Sequence, residues 1–215
     1  MDSLFDAAEN GENREERLAE LARQVSVCTK CDLSLSRTNT VFGTGDPHSP
    51  LMLVGEGPGE NEDATGLPFV GRAGKLLDDI LAAVDLTRDQ VYITNIVKCR
   101  PTVEEGGRTR NRQPKTGEIN ACNPYLQAQI AAIKPEIILC LGGPASKTLI
   151  DKNFRITKDR GKWYDLDSAK AMATFHPAYI LRQSGEDLQN TKRLVWKDVQ
   201  NVYAEYQKAL EARSQ

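Results

Sequence analysis

LMLVGEGPGE at residues 51–60 decides the fold, because an unbroken apolar run there stops abruptly at a group of glycines. A run without polar alternation predicts a strand that is buried on both faces of a sheet. The glycines predict a tight turn at the carboxyl end of that strand. The same pattern recurs in VYITNIV (91–97) and EIILCLG (136–142), and weaker strands are predicted at GKWYDL (161–166) and KAMATF (170–175).

Stretches with the apolar spacing of amphipathic helices separate these strands. They run from Asn13 to Cys28, from Gly71 to Asp85, from Ile119 to Ile133 and from Trp196 to Leu210, and a short helix is predicted where the chain turns through GGPAS (142–146). Strands alternating with helices predict an α/β fold, a three-layer α/β/α arrangement around a central, mainly parallel sheet of four to five strands. We predict a flexible tail over residues 1–12 and a single domain over 13–212.

The composition is that of an ordinary globular protein, with 40% hydrophobic and 27% charged residues in 215. A net charge of -2 argues against nonspecific coating of nucleic acid. No apolar stretch is long enough to cross a membrane, and the acidic start is unlike a secretory signal. We therefore expect a cytoplasmic protein without a membrane partner. The arginines between Lys98 and Lys115 fit either a solvated loop or a local phosphate-binding rim.

Four of the five cysteines are candidates for a metal site. Cys28 and Cys31 form a C-x2-C pair in polar surroundings, and Cys99 and Cys122 fall at the ends of predicted elements. Four cysteines hold either zinc or an iron–sulfur cluster, and the spacing alone does not choose between them. Cys140 lies inside an apolar strand, where packing in the core is the better interpretation.

Polar side chains follow several of the predicted strands. Glu56 and Glu62 lie in and after the glycine turn, Asn95 lies near the end of VYITNIV, and His176 follows KAMATF. In open α/β sheets the carboxyl ends of the strands form the ligand site, so these residues should meet at one edge. No phosphate-binding glycine motif is present, which disfavours a nucleotide cofactor.

Six segments in order resemble a family 4 uracil-DNA glycosylase, the iron–sulfur type of bacteria and archaea. They are GEGPGENED, GLPFVGRAGKLLD, VYITNIVKCRP, Cys122, RGKWYDL and FHPAYILR. The resemblance extends from Cys28 to about Trp196. It implies hydrolysis of the N-glycosidic bond of deoxyuridine in DNA, which releases uracil and leaves an abasic site, with no lyase activity.

The resemblance also implies a cofactor, a partner and a location. Cys28, Cys31, Cys99 and Cys122 would hold a structural [4Fe–4S] cluster, and no catalytic metal is expected. The partner would be uracil-containing DNA, single- or double-stranded. The protein would act as a monomer at the nucleoid of a bacterium or archaeon.

The residues of the uracil pocket follow from the same resemblance. Phe69 would stack on a uracil flipped out of the DNA, Asn95 would read the uracil edge, and His176 would stabilise the departing uracil anion. Related families place an acid where this chain has Gly57. This departure leaves Glu56 and Glu62 as candidates for the catalytic carboxylate, with Glu56 favoured by its position and Glu62 second. The implied pocket comprises Glu56, Gly57, Phe69, Asn95 and His176.

Two segments would contact the rest of the DNA. Ile180, Leu181 and Arg182 would fill the gap left by the flipped base. The predicted backbone contacts are Arg100, Arg108, Arg110 and Arg112. This arginine loop is longer than is usual in family 4, and a relative traps DNA covalently through a histidine there. Since this chain has no histidine between residues 49 and 175, hydrolysis is predicted.

Two other classes of protein compete with this hypothesis. A noncatalytic iron–sulfur DNA-binding module could share the fold, but it would not need Glu56 and His176. A zinc-stabilised nucleotide hydrolase is disfavoured because a phosphate-loop motif is missing.

Overall fold

The computed structural model describes residues 13–214, and a sheet of six strands forms its centre. The strands are β1 (Thr44–Gly45), β2 (Leu51–Gly55), β3 (Tyr92–Asn95), β6 (Ile137–Leu141), β7 (Trp163–Asp165) and β8 (Lys170–Thr174). Their spatial order is β1-β3-β2-β6-β8-β7. The four inner strands are parallel, and β1 and β7 are antiparallel edges. The mainly parallel α/β fold is confirmed. The predicted strand count is one too low, because β1 has two residues and no apolar pattern.

Helices cover both faces of the sheet. They are α1 (Arg14–Ser26), α2 (Glu60–Thr65), α3 (Arg72–Ala82), α4 (Thr116–Ile133), α5 (Gly143–Leu149), α6 (Ile156–Asp159), α7 (Pro177–Ile180) and α8 (Gly185–Arg213). Asn13 caps α1 through its side-chain oxygen, which accepts from the amide of Glu15 at 3.3 Å. The helices α1, α3 and α4 begin and end within a few residues of the predicted positions. The helix α8 begins at Gly185, well before the predicted start at Trp196, because its first ten residues carry only two apolar side chains, both leucines.

Successive residues of β2 are buried on opposite faces of the sheet, and they enter two separate cores. Leu51 and Leu53 pack with α3 and α8 on one face, where Leu77 and Val199 are buried. Met52 and Val54 pack with α1 and α4 on the other face. Because both faces of a parallel strand are covered, the whole of β2 is apolar, as the sequence pattern indicates.

The direction of the chain connections reverses between β2 and β6. From β2 the chain moves to β3 on one side, and from β6 it moves to β8 on the other. Such a switch point leaves a crevice at the carboxyl ends of the strands, and ligands bind there in this class of fold. The turn after Gly55 and the segment after Thr174 both open into this region.

The arginine-rich segment is a hairpin rather than the predicted loop. It consists of β4 (Thr102–Glu105) and β5 (Arg108–Asn111), paired antiparallel. Gly106 and Gly107 join the strands with φ of 59° and 71°, the left-handed conformation that a tight hairpin turn needs. No apolar alternation marks it because every residue from 103 to 111 is exposed. The hydrophobic pattern of the sequence therefore gives no sign of this hairpin.

The predicted tail over residues 1–12 lies outside the described residues. Within residues 13–214, no helix is both long and apolar enough to cross a membrane.

Candidate active site

The predicted pocket residues line one cavity at the carboxyl edge of the sheet. The cavity has a volume of about 550 Å³ and is lined by all five predicted residues, Glu56, Gly57, Phe69, Asn95 and His176. A larger groove of about 850 Å³ adjoins it and shares Glu56, His176 and Arg182. The structure thus brings together residues that are up to 120 positions apart in the chain.

Asn95 ends β3 and is 2% exposed. Its Oδ1 is the one fully buried side-chain oxygen or nitrogen among residues 13–214 without a hydrogen-bond partner. Leaving such an acceptor unpaired costs about 1–3 kcal/mol, so a ligand that donates a hydrogen bond to Oδ1 would remove this cost.

Gly55 makes room for this arrangement at the end of β2. A Cβ added there would lie 2.4 Å from Asn95 Oδ1 and 2.5 Å from the ring of Phe69. Any side chain at residue 55 would therefore enter the space between the amide and the ring. This role of Gly55 was not predicted from the sequence, although a glycine directly after an apolar run is its signal.

Phe69 is a buried aromatic residue with strained backbone geometry. Its φ is 54°, a left-handed conformation that costs a non-glycine residue about 1–2 kcal/mol. Its ring stacks with the imidazole of His176, with 5.6 Å between ring centroids and 29° between the planes. The strained conformation directs this aromatic ring into the cavity beside Asn95.

His176 follows β8 and caps α7. Its Nδ1 accepts from the backbone amide of Ala178 at 3.1 Å. Burial lowers the pKa of His176 to about 4, and the positive charge of Arg182 acts in the same direction. The imidazole is therefore neutral at physiological pH. With Nδ1 accepting, the ring proton lies on Nε2, and His176 can donate one hydrogen bond without carrying a charge.

The two candidate carboxylates have different surroundings. Glu56 lines both the cavity and the groove, and burial raises the pKa of its carboxyl, an effect that Arg182 partly opposes. Glu62 has its oxygens occupied by backbone amides: Oε2 accepts from Gly59 at 3.0 Å, and Oε1 accepts from Val70 and Gly71 at 2.9 Å each. This geometry favours Glu56 as the reactive carboxylate and gives Glu62 a structural task.

The predicted insertion segment is only partly available to DNA. Ile180 is 3% exposed and packs in the core on one face of the sheet, so it is not presented to DNA in this structure. Leu181 is 40% exposed, and Arg182 is exposed at the rim of both cavities. The short helix α7 turns Ile180 inward, which sequence alone could not show because all three residues lie within one turn.

The four predicted backbone arginines also differ in availability. The Arg112 guanidinium pairs with Glu118 on α4, donating to both of its oxygens at 2.6 and 2.8 Å. Arg100 donates to Asn111 at 2.7 Å and is largely enclosed. Arg108 and Arg110 stay exposed on the hairpin, where Arg110 lies 3.3 Å from Glu105. Arg100 and Arg112 hold the base of the hairpin in place.

Pairing within the hairpin decides which way its arginines point. Arg110 lies opposite Val103 and Arg108 opposite Glu105, so these four residues share one face. Asn111, which lines the cavity, belongs to the other face with Thr109. The two exposed arginines therefore point away from the face that borders the cavity.

The four candidate metal ligands line a second, smaller cavity. Cys28 and Cys31 come from the segment after α1, Cys99 follows β3, and Cys122 lies on α4. Among residues 13–214, no three His, Cys, Asp or Glu side chains are placed to hold a metal ion. Cys140 is fully buried in the core, as predicted.

Two cysteine sulfurs accept hydrogen bonds. The guanidinium of Arg37 donates to Cys99 Sγ at 3.3 Å, and the backbone amide of Lys98 donates to Cys122 Sγ at 3.3 Å. Burial raises the pKa of Cys99 and raises that of Cys122 to about 11. Buried thiols of this kind lose their protons when a cation binds them.

Comparison with known proteins assigns the class. A family model described as the uracil DNA glycosylase superfamily matches residues 42–200. That region contains all the residues that line the cavity of about 550 Å³. The fold and the cavity therefore define a member of this superfamily.

Curated relatives narrow the assignment. A type-4 uracil-DNA glycosylase of Thermotoga maritima is 44% identical over 191 residues, which is 88% of this chain and 94% of the relative. Type-4 enzymes of Sulfurisphaera tokodaii and Archaeoglobus fulgidus are 47% and 41% identical over 173 and 174 residues; the alignments cover 76% and 77% of this chain and 76% and 84% of the relatives. The chain belongs to the type-4 uracil-DNA glycosylase family.

Proposed function

We propose that this chain excises uracil from DNA by hydrolysing the bond between the base and deoxyribose, leaving an abasic site. The observation that carries this proposal is the unpartnered Oδ1 of Asn95, buried beside the ring of Phe69 in the cavity of about 550 Å³. The family membership supports the same reaction. Uracil, extruded from the DNA, is the ligand that these groups fit.

Asn95 supplies the selectivity for uracil. Its Oδ1 accepts from N3–H of the base, and its amide nitrogen donates to O4. Cytosine has no proton at N3 and carries an amino group at position 4, so both hydrogen bonds are lost. Buried polar groups that stay unpaired are the strongest means of rejecting a similar ligand. The ring of Phe69 supplies the stacking surface that keeps the base in the plane of the amide.

His176 stabilises the departing base. As the glycosidic bond breaks, negative charge develops on the uracil ring, including O2. The Nε2–H of His176 donates to that oxygen, since Nδ1 is already occupied by the amide of Ala178. A neutral donor suits this task because a pKa of about 4 keeps the imidazole uncharged before and during the reaction.

Glu56 acts on the sugar side of the bond. The deoxyribose ring becomes cationic as uracil leaves, and a carboxylate in the shared wall of cavity and groove stabilises that cation. The same carboxylate orients the attacking water and accepts its proton. The base leaves as an anion, and the water hydroxyl bonds to the anomeric carbon, so the reaction is a hydrolysis.

The DNA flanking the uracil lies along the groove of about 850 Å³. Arg182 lines the groove, and its neighbour Leu181 is 40% exposed; these two side chains occupy the gap in the base stack. Lys147, Lys152 and Arg155 line the same groove and provide positive charge for phosphates. Both single- and double-stranded uracil DNA are substrates under this proposal, and the protein acts as a monomer.

The four cysteines hold a [4Fe–4S] cluster under the same proposal. The four cysteines line one small cavity and supply four thiolate ligands, a set that suits either zinc or an iron–sulfur cluster. The resemblance of the sequence to the iron–sulfur type of uracil-DNA glycosylase favours the cluster. When bound, the cluster ties α1 to β3 and α4; all four cysteines are occupied, so its task is structural.

Metal analysis tests the cluster assignment. Purified protein should absorb broadly at about 400 nm and contain iron. Cys31→Ala should lose the iron, whereas Cys140→Ala should keep it, since Cys140 packs in the core. Stoichiometric zinc without iron would contradict the assignment and leave the excision proposal intact.

Incubation with oligonucleotides tests the activity. A DNA strand with one uracil should be cut at that position after treatment with alkali, and a strand with cytosine there should stay intact. A strand cut before alkali treatment would indicate lyase activity, which the proposal excludes. An intact uracil strand at protein excess would overturn the proposed function.

A further inference from the structure

Two charged side chains hold the peptide unit that follows Phe69, one at each end. The carbonyl oxygen of Phe69 accepts from the guanidinium of Arg88. The amide of Val70 donates to Glu62 Oε1 at 2.9 Å. This peptide therefore cannot rotate without breaking a charge-assisted hydrogen bond at one end or the other.

Arg88 makes further contacts that all serve the same turn. Its Nη1 donates to the carbonyl of Pro68 at 3.0 Å, and its Nη2 also lies 3.4 Å from the carbonyl of Gly74. Its Nε donates to Asp78 on α3, which fixes the plane of the guanidinium. The Arg88 side chain is only 26% exposed, so its donors are committed to the turn and α3 rather than to solvent.

The backbone of Phe69 needs such support. With φ of 54°, this residue occupies a conformation that a phenylalanine rarely adopts by itself. The start of α3 limits how far the peptide can move, because a Cβ on Gly74 would lie 1.8 Å from the oxygen of Phe69. Without the guanidinium, the carbonyl would turn toward a more common conformation, and the ring would leave its place beside Asn95.

We propose that Arg88 is a positioning residue for base recognition, which holds the stacking ring of Phe69 in the cavity through the Phe69 carbonyl. This inference rests on the proposed function, since Phe69 must be the surface on which the base stacks. Arg88 itself does not line the cavity, so it would act on the base only through Phe69.

Binding of a base analogue tests this role apart from catalysis. Arg88→Met keeps the apolar stem and removes every donor. It should weaken binding of 1-methyluracil about tenfold, within the range that base–aromatic stacking contributes. Single-turnover excision should fall by a similar factor, and affinity for DNA that carries an abasic site should stay within about twofold, because no base is stacked there.

A matched arginine controls for loss of a guanidinium. Arg213 pairs with Glu136 and donates to the carbonyl of His48, so its contacts resemble those of Arg88. His48 lines neither the cavity nor the groove. Arg213→Met should leave analogue binding and excision unchanged. Equal losses in Arg88→Met and Arg213→Met would overturn the proposal.

A double-variant cycle gives the decisive readout. Once Phe69→Ala has removed the ring, adding Arg88→Met should cause no further loss of analogue affinity, because Arg88 acts through that ring. Independent, multiplying losses would overturn the proposal. If Arg88→Met does not fold, Arg88→Lys answers the same question: one ammonium cannot serve three carbonyls, so it should show a partial loss that also vanishes without the ring.

The two proposals fail in different ways. A wild-type protein that neither binds 1-methyluracil nor excises uracil would contradict the proposed function. A wild-type protein that does both, with an Arg88→Met variant that binds the analogue equally well, would contradict the role of Arg88 alone.

Discussion

The rings of Phe69 and His176 stack with their centroids 5.6 Å apart, at the carboxyl edge of the sheet and in the same cavity as Asn95. One residue follows a glycine-rich turn, and the other follows the last parallel strand. Under the proposed function, this contact joins the stacking surface for a base to the donor that stabilises its departure. The chemistry proposed for the chain depends on this geometry.

Replacing His176 should slow bond breakage without preventing base binding. His176→Ala removes the Nε2–H donor to uracil O2, and loss of one such donor typically costs about 10²–10³-fold in rate. Single-turnover excision measures this step directly. A rate within about twofold of the wild type would remove His176 from the proposed mechanism.

Adding one methyl group at Gly55 should block the cavity. In Gly55→Ala the new Cβ lies 2.4 Å from Asn95 Oδ1, so either the amide or the ring of Phe69 must move. We expect excision to fall by about 10²-fold or more, the scale expected when reacting groups are misplaced by about an ångström. Gly117→Ala on α4 is the matched control, because its Cβ would meet nothing within 4 Å. Equal activity in both variants would contradict the proposed place of the base.

Asn95→Asp should relax the choice between uracil and cytosine. A carboxylate oxygen can accept from the amino group of cytosine, whereas it repels O4 of uracil. The ratio of excision rates for uracil and cytosine should fall by about two orders of magnitude or more, since discrimination of this type rests on buried polar pairs. An unchanged ratio, measured on matched oligonucleotides, would mean that another residue reads the base.

The decline of kcat/KM at acidic pH should reflect protonation of Glu56. The carboxylate is the active form, so kcat/KM should fall as pH drops through the pKa of Glu56, which burial raises above the ordinary value of 4.5. The pKa of His176 is about 4, so the imidazole stays neutral through the upper part of this decline. Glu56→Gln should lower the rate and remove the decline. The same decline in Glu56→Gln would assign it to another group.

Two groups of hairpin arginines should behave differently. Arg108 and Arg110 are exposed, so if they contact phosphates, each alanine variant should lower the salt dependence of DNA binding by about one unit of slope. Arg112→Ala should instead lower the melting temperature, because it leaves the buried carboxylate of Glu118 without its positively charged partner. Unchanged salt slopes would show that the hairpin does not contact the DNA backbone.

The sequence predicted the parallel sheet and the shared edge of Asn95 and His176 because both depend on pattern, whereas Phe69 and Gly57 entered the predicted pocket only through the resemblance to a family. Apolar runs such as LMLVG report burial on two faces, and the residues after parallel strands must share an edge. Asn95 and His176 could therefore be placed together before any coordinates were known.

Other features depend on contacts that no local pattern records. Ile180 and Leu181 are adjacent and similar, and only the turn of α7 decides that one is buried and the other exposed. Arg112 and Arg110 look alike in the sequence, but only Arg112 meets Glu118 from another element. The hydrogen bond from Arg88 to the carbonyl of Phe69 joins residues 19 positions apart and leaves no periodic signal in the sequence.

Titration of the wild-type protein with 1-methyluracil and 3-methyluracil tests the central claim most directly. Both analogues have the same size, but only 1-methyluracil keeps the N3–H that Asn95 Oδ1 is proposed to accept. The protein should bind 1-methyluracil and show affinity for 3-methyluracil lower by about 10²-fold or more, the penalty for a buried acceptor without a donor. Equal affinity for the two analogues would contradict the claim that Asn95 reads the base in this cavity.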